Sequence, residues 1–182
     1  FRSYFRKASN LGRQQPLKGS SLGLKIRIIS VGKIREPFYN SGIQEYVKRL
    51  RPYSDIQLQS GFEARAPARP GDHDIQQVKQ KEGQRILQQL SPGEYLVVCD
   101  IEGQAYSSTE LAARVEQWML SGKARINIVV GGAYGLDREV IAAADERISL
   151  SRLTLPHQMA VLILVEQIYR AFKILRGEPY HH

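Results

Sequence analysis

Gly131-Gly132-Ala133-Tyr134-Gly135 is the first group in this 182-residue chain whose types and spacing suggest chemistry. Glycines that follow an apolar run let backbone approach a ligand closely. The spacing does not match G-x-G-x-x-G, and the group sits late in the chain, so a dinucleotide-binding Rossmann site is disfavoured. On the residues alone, a tight turn is the simpler reading. The four histidines, His73, His157, His181 and His182, form no ligand cluster with Cys99 at familiar spacing, so no metal is expected. There is no Ser nucleophile elbow and no phosphate-binding Walker loop.

The elements that must position these residues follow from periodicity. Leu24–Val31 reads as a strand, with Ile26 and Ile28 facing one way and Lys25 and Arg27 the other. Pro37 opens a helix to about Leu50, and Asp55–Ser60 is a short strand. Phe62–Gly71, with two prolines, reads as a flexible flap. A polar helix capped by Asp72 or Asp74 runs to Leu90, with Gly83 inside it at a modest helix cost. Tyr95–Cys99 is near-continuously apolar, as a strand covered on both faces should be. Asp100–Gly103 then stands at its C-terminal end, where open α/β sheets place ligands. Ser107 and Glu110 form a capping box for a helix to Leu120, with Leu111, Val115, Trp118 and Met119 inward. Arg125–Val130 is the strand that feeds the glycines, and a short helix runs from Asp137 to Ala144.

Ile148–Leu155 has the alternation of a strand running into a tight loop, which Pro156 closes. His157 to about Arg176 is an uninterrupted helix whose Ala160–Val165 section is apolar all round. That pattern predicts burial on two sides, against the chain's own core and against a partner, most simply a second copy in a homodimer. Alternating strands and helices predict an α/β fold with a largely parallel sheet.

Bulk composition bounds the rest. With 42% hydrophobic and 24% charged residues, the chain matches an ordinary globular domain. No apolar run approaches the roughly 18 residues of a membrane span. One cysteine excludes an internal disulfide and fits a reducing compartment; the expected location is cytoplasmic, or an organelle if the N-terminal extension is a transit peptide. Five of the eight net positive charges lie in Phe1–Gly23, which contains no acid and no apolar period and reads as a disordered extension of the 24–182 domain. A cloning scar, an organelle transit peptide and an RNA-binding arm all fit its composition.

Leu153–His182 (LTLPHQMAVLILVEQIYRAFKILRGEPYHH), GGAYG and Lys25–Lys33 (KIRIISVGK) together resemble the RlmH family, bacterial ribosomal RNA methyltransferases of the SPOUT class. The resemblance runs from about Leu24 to His182. It implies a SPOUT-type α/β knot, with helices on both faces of the sheet and a C-terminal trefoil knot whose loops hold S-adenosylmethionine. It implies cofactor contacts at Cys99, at Gly131 and through the knot loop Leu150, Ser151, Arg152, Leu153, Thr154 and Leu155. That loop mixes backbone polar groups, which can read an adenine edge, with apolar side chains that can sandwich its ring. The family's tail PYH is matched by Pro179-Tyr180-His181, while His182 stands where many relatives have Lys or Arg.

Family members methylate N3 of a pseudouridine in 23S ribosomal RNA, on the ribosome. That nitrogen carries a proton, so a base must take it. His157, Tyr180 and His181 are the candidates, with a plain helix-start role as the alternative for His157. Arg152, Arg170 and His182 are the candidate substrate contacts, although an ion pair with Glu166 would equally account for Arg170. Two further functions remain open at this point: methylation of a different RNA, and a ribosome-binding module without catalysis.

Overall fold

The computed structural model describes residues 23–180. Its elements are β1 Lys25–Ser30, α1 Pro37–Leu50, β2 Asp55–Ser60, α2 Asp72–Leu87, β3 Tyr95–Ala105, α3 Ser108–Leu120, β4 Ile126–Val130, α4 Arg138–Ala143, β5 Glu146–Ser149 and α5 His157–Leu175. The strands form one sheet in the order β2-β1-β4-β3-β5, and every pairing is parallel. All five therefore end at one edge, where the loops carrying the chemically interesting residues gather.

Strand alternation divides the core in two. Ile26, Ile28, Ile126, Ile128 and Val97 point to the face covered by α1, α3 and α5. Ile29, Val31, Val129, Leu96 and Val98 point to the opposite face, where Ile86 of α2 and Val140 of α4 cover them. Both faces are covered, which is why the strands read as apolar runs. The deepest element is α5: Val161, Leu164, Val165, Ile168 and Ala171 are fully buried. Leu162 lies on α1, close enough to Gly42 that a Cβ there would stand 3.1 Å from it. Much of the all-round apolar section is thus covered by the chain itself.

Several sequence expectations need correction. Arg27 points away from Ile26 and Ile28 as its alternation indicates, but unlike Lys25 it is buried there, 2.9 Å from Glu94, and it donates to Asn127 Oδ1 at 2.7 Å. Met119 is not inward; it is 48% exposed, because the buried stripe of α3 runs through Leu111, Val115 and Trp118 and turns away at the next residue. Trp118 is core, its indole donating to Glu146 Oε2 at 3.1 Å. The N-cap of α2 is Gly71, whose amide donates to Asp74 Oδ2 at 2.9 Å, and this helix ends at Leu87 rather than Leu90. Gly83 reflects packing more than tolerance: a Cβ there would lie 2.8 Å from Asp137 Cβ.

Two corrections shape the site. β3 does not stop at Cys99. Its register against β5 shifts between Cys99 and Gln104, so Asp100–Gly103 forms an excursion and the strand resumes. Gly103 permits this, since a Cβ would fall 2.6 Å from the Ile148 carbonyl carbon. Conversely, β5 ends at Ser149 and does not continue to Leu155. Ser149 Oγ donates to the Ser151 carbonyl at 3.0 Å, and Ser151 Oγ accepts from Leu153 N at 2.9 Å. These local bonds replace the ladder that further strand would need.

Candidate functional site

At the C-terminal edge of the sheet a cavity of about 660 Å³ opens between the ends of β3 and β4 and the loop before α5. Its floor is Cys99 and Val130. One wall is Gly131, Gly132, Ala133 and Gly135 with Leu136, and the other is Leu150, Ser151 and Leu153–Pro156 with His157 and Ala160. Ile101, at the tip of the β3 excursion, and Leu153 flank it and remain 55% and 74% exposed. Large apolar side chains held beside a cleft offer surfaces for a flat ring.

Local chemistry explains how each wall is held. Gly131 follows the last residue of β4, and a Cβ there would meet Leu136 Cγ at 3.2 Å and the Gly135 carbonyl carbon at 3.3 Å. The glycine loop is thus closed on itself by a Gly132–Gly135 bridge, and Gly135 has φ +78°, a left-handed conformation that favours glycine. Below it, Gly132 packs on Val31 and near Glu82, a buried carboxylate that desolvation holds above its usual range. The β3 excursion is pinned by Arg147, which pairs with Asp100 and, at 3.6 Å, with Glu102.

The first turn of α5 is tied to the loop after β1. His157 Nε2 lies 3.0 Å from the Lys33 carbonyl. A carbonyl only accepts, so a hydrogen bond here needs the hydrogen on Nε2, which leaves Nδ1 to act as the acceptor whenever the ring carries one hydrogen. The ring sits where a Cβ on Gly32 would stand, 2.5 Å from Nε2. Gln158 Oε1 accepts from the amides of Arg35 and Glu36 at 2.8 and 3.0 Å. His157 is therefore both a helix-start anchor and a pocket residue.

Of the residues singled out from sequence, Cys99, Gly131, Leu150, Ser151, Leu153, Thr154, Leu155 and His157 come together in this cavity. Arg152 is exposed beside it and does not line it. Tyr180 and Arg170 lie elsewhere. The Tyr180 hydroxyl donates to Glu166 Oε1 at 3.1 Å and stands 3.2 Å from Tyr46 Oη, and its ring packs edge-on to Tyr169. Burial and these neighbours raise its phenol well above the ordinary range. Arg170 pairs with Glu166 at 2.6 Å and covers the Tyr180 ring. His181 and His182 lie outside the described residues. Leu136 was missed as a wall residue, and Ile101 was not named although its segment, Asp100–Gly103, was placed at the ligand end of the sheet. The signal available was an isolated apolar residue in Asp100–Gly103, and a leucine directly after the glycines.

Among the described residues, no group of three or more His, Cys, Asp or Glu side chains could hold a metal ion. No helix among them is long and apolar enough to cross a membrane.

Comparison with known proteins follows the same outline. A family described as "Predicted SPOUT methyltransferase" matches residues 24–181. Ribosomal RNA large subunit methyltransferase H of Syntrophomonas wolfei is 56% identical over 158 residues, covering 87% of this chain and 99% of that protein. The proteins of the same name from Enterococcus faecalis and Acetivibrio thermocellus are each 44% identical over the same shares. The extension 1–23 falls outside the family match.

The cavity floor makes a prediction about reactivity. Desolvation pushes the half-buried Cys99 thiol up to about 12, so at pH 8 it stands at the cavity floor as a thiol and not a thiolate. Iodoacetamide should alkylate the native protein much more slowly at pH 8 than the urea-unfolded chain. Equal rates in the two states would contradict a half-buried, protonated floor thiol.

Proposed function

The chain belongs to the SPOUT methyltransferase family, and from that premise we propose that it binds S-adenosylmethionine in the cavity between Gly131 and Leu150–Leu155 and methylates N3 of pseudouridine 1915 in 23S ribosomal RNA. That the enzyme is an RNA methyltransferase follows from relatives it covers almost completely. The observation that carries the cofactor assignment is the meeting of Cys99, Gly131 and the loop before α5 around one cleft. Its volume lies within the roughly 300–1,000 Å³ of small-molecule sites. Its neutral thiol, backbone-rich glycine wall and exposed Leu153 and Ile101 fit a nucleoside better than a polyphosphate.

When bound, S-adenosylmethionine supplies an electrophilic methyl group. The protein's work is to orient it and to deal with the proton on the target nitrogen. Backbone groups of Leu150–Leu155 and the glycine wall would hold the adenosine portion, with Leu153 as an apolar surface beside it. His157 receives the proton at Nδ1, its orientation fixed by the Nε2–H bond to Lys33. Arg152, exposed at the mouth, meets RNA phosphate, and His181 and His182 of the tail act on the RNA side. Arg170 positions Tyr180 through Glu166.

The same reading includes a trefoil knot, a cytoplasmic location beside the ribosome and a homodimer. Support for the knot is the path of the chain, which leaves β5 at Ser149, lines the cavity opposite Gly131 and returns to the core as α5. Support for the dimer is apolar surface left near the packed α1–α5 pair, where Phe38 is 66% and Met159 36% exposed. The relatives named above are bacterial and lend nothing to an organelle leader.

Three outcomes check this reading. Calorimetry should show S-adenosylmethionine binding to the wild-type chain and none to Gly131→Leu, with the variant's circular dichroism unchanged; full affinity in the variant would remove Gly131 from the site. His157→Gln keeps a donor for the Lys33 carbonyl but loses the base, so turnover should fall by about a hundredfold or more at unchanged cofactor affinity. Unchanged turnover would pass the proton to His181. Sizing chromatography at micromolar concentration should give a dimer, and a stable monomer would exclude one.

A further inference from the structure

The segment between β2 and α2, Gly61–Gly71, does not line the cavity, yet its root is built against it. Phe62 N donates to the Val31 carbonyl at 2.8 Å. Arg85 of α2 donates to the carbonyls of Phe62 and Glu63 at 3.2 and 2.9 Å. Ala64 N donates to Glu82 Oε1 at 2.9 Å. The other oxygen of that buried carboxylate would stand 3.9 Å from a Cβ on Gly132, a residue of the cavity wall. One side chain thus joins the root of this segment to the glycine loop. The tethers stop at Ala64, and Arg65-Ala66-Pro67-Ala68-Arg69-Pro70 projects beyond them from the sheet edge that carries the cavity.

The composition of this projecting part is one-sided. Arg65 and Arg69 are exposed, and among the described residues neither has a carboxylate within ion-pair distance. Among the described residues, seven of the other twelve arginines are committed: Arg27, Arg35, Arg49, Arg114, Arg125, Arg147 and Arg170 all hold carboxylates. The segment's single acid, Glu63, is taken up by Arg35 at 3.0 Å. Between the two arginines stand only Ala and Pro, so nothing bulky keeps a polyanion from the backbone. The prolines fix φ and lower the entropy lost on docking. At the root, Lys33 is exposed and lies across Gly61, adding a third cation to the same rim.

We propose that Gly61–Gly71 is a strap that grips RNA backbone phosphate beside the cavity, with Arg65 and Arg69 as the gripping residues and Glu82 as the latch that sets the strap's position against the glycine loop. The proposal rests on the RNA-methyltransferase reading above and adds the surface that docks the substrate. Arginine suits the task because its planar fork meets phosphate oxygens in pairs. Contacts of this kind position the RNA without reading its sequence, and they release counterions.

The test uses the full chain, purified large ribosomal subunits and a series of potassium chloride concentrations. R65A/R69A should lower the slope of log K against log salt by about one to two and weaken low-salt binding by roughly tenfold or more. R65K/R69K should retain the slope, and calorimetry should find S-adenosylmethionine affinity unchanged in both variants. Wild-type slope and affinity in R65A/R69A would overturn the strap. So would weaker binding at an unchanged slope, which would mark a contact with ribosomal protein. If wild type binds subunits with a slope that R65A/R69A loses, but transfers no methyl group, the strap stands and the methylation reading falls. If wild type does not bind subunits, both fall.

Discussion

The burial of α5 is the constraint on which the rest depends. Five of its side chains are removed from water completely, each contributing gross stabilisation of about 1.5–3 kcal/mol for the larger ones. With α1 and α3 beside it and the sheet beneath, the helix has one place to lie. Its first turn is then fixed by His157 on the Lys33 carbonyl and Gln158 on two amides of the β1–α1 loop. The residues from Leu150 to Pro156 must bridge the end of edge strand β5 and this anchored start. They cannot do so except past the ends of β3 and β4. The cavity is the space left between that forced path and the glycine loop.

Charge is distributed by function. Apart from His157 and Asp100, which Arg147 pairs, the cavity is lined by backbone, small hydroxyls, apolar side chains and one thiol. Uncommitted cations stand outside it, at Arg65, Arg69, Lys33 and Arg152. At the opposite edge of the sheet, Arg27, Arg125, Asn127 and Glu94 form a buried network across β1, β3 and β4. Removing one member there would strand a buried charge, so that end is locked. The functional edge is built from loops and the structural edge from paired charges.

What the sequence disclosed and what it concealed differ by range. Helix α1 and strand β2 were legible to the residue because Pro37, the apolar stripe and the flanking turns are all local. The same holds for the Ser107–Glu110 box. The cavity residues from Cys99 to His157 were legible through the family resemblance, not through periodicity. The concealed features each depend on a partner far along the chain. Arg27 looks like a solvent-facing strand residue until Glu94 and Asn127 are beside it. Gly83 and Gly103 look like weak points until Asp137 and Ile148 occupy the space their side chains would take. Tyr180 reads as a tail residue, but Tyr46, Glu166 and Tyr169 draw it into the α1–α5 packing.

The central claim is that the cleft between Gly131 and Leu150–Leu155 delivers a methyl group to one base nitrogen of large-subunit RNA. Its most direct test is nucleoside mass spectrometry. Large subunits lacking the modification would be incubated with the full chain and methyl-labelled S-adenosylmethionine, and the digested 23S RNA analysed. The account predicts labelled 3-methylpseudouridine at close to one per subunit and no other labelled nucleoside. Label in a different nucleoside, or none in the presence of bound cofactor, would contradict it.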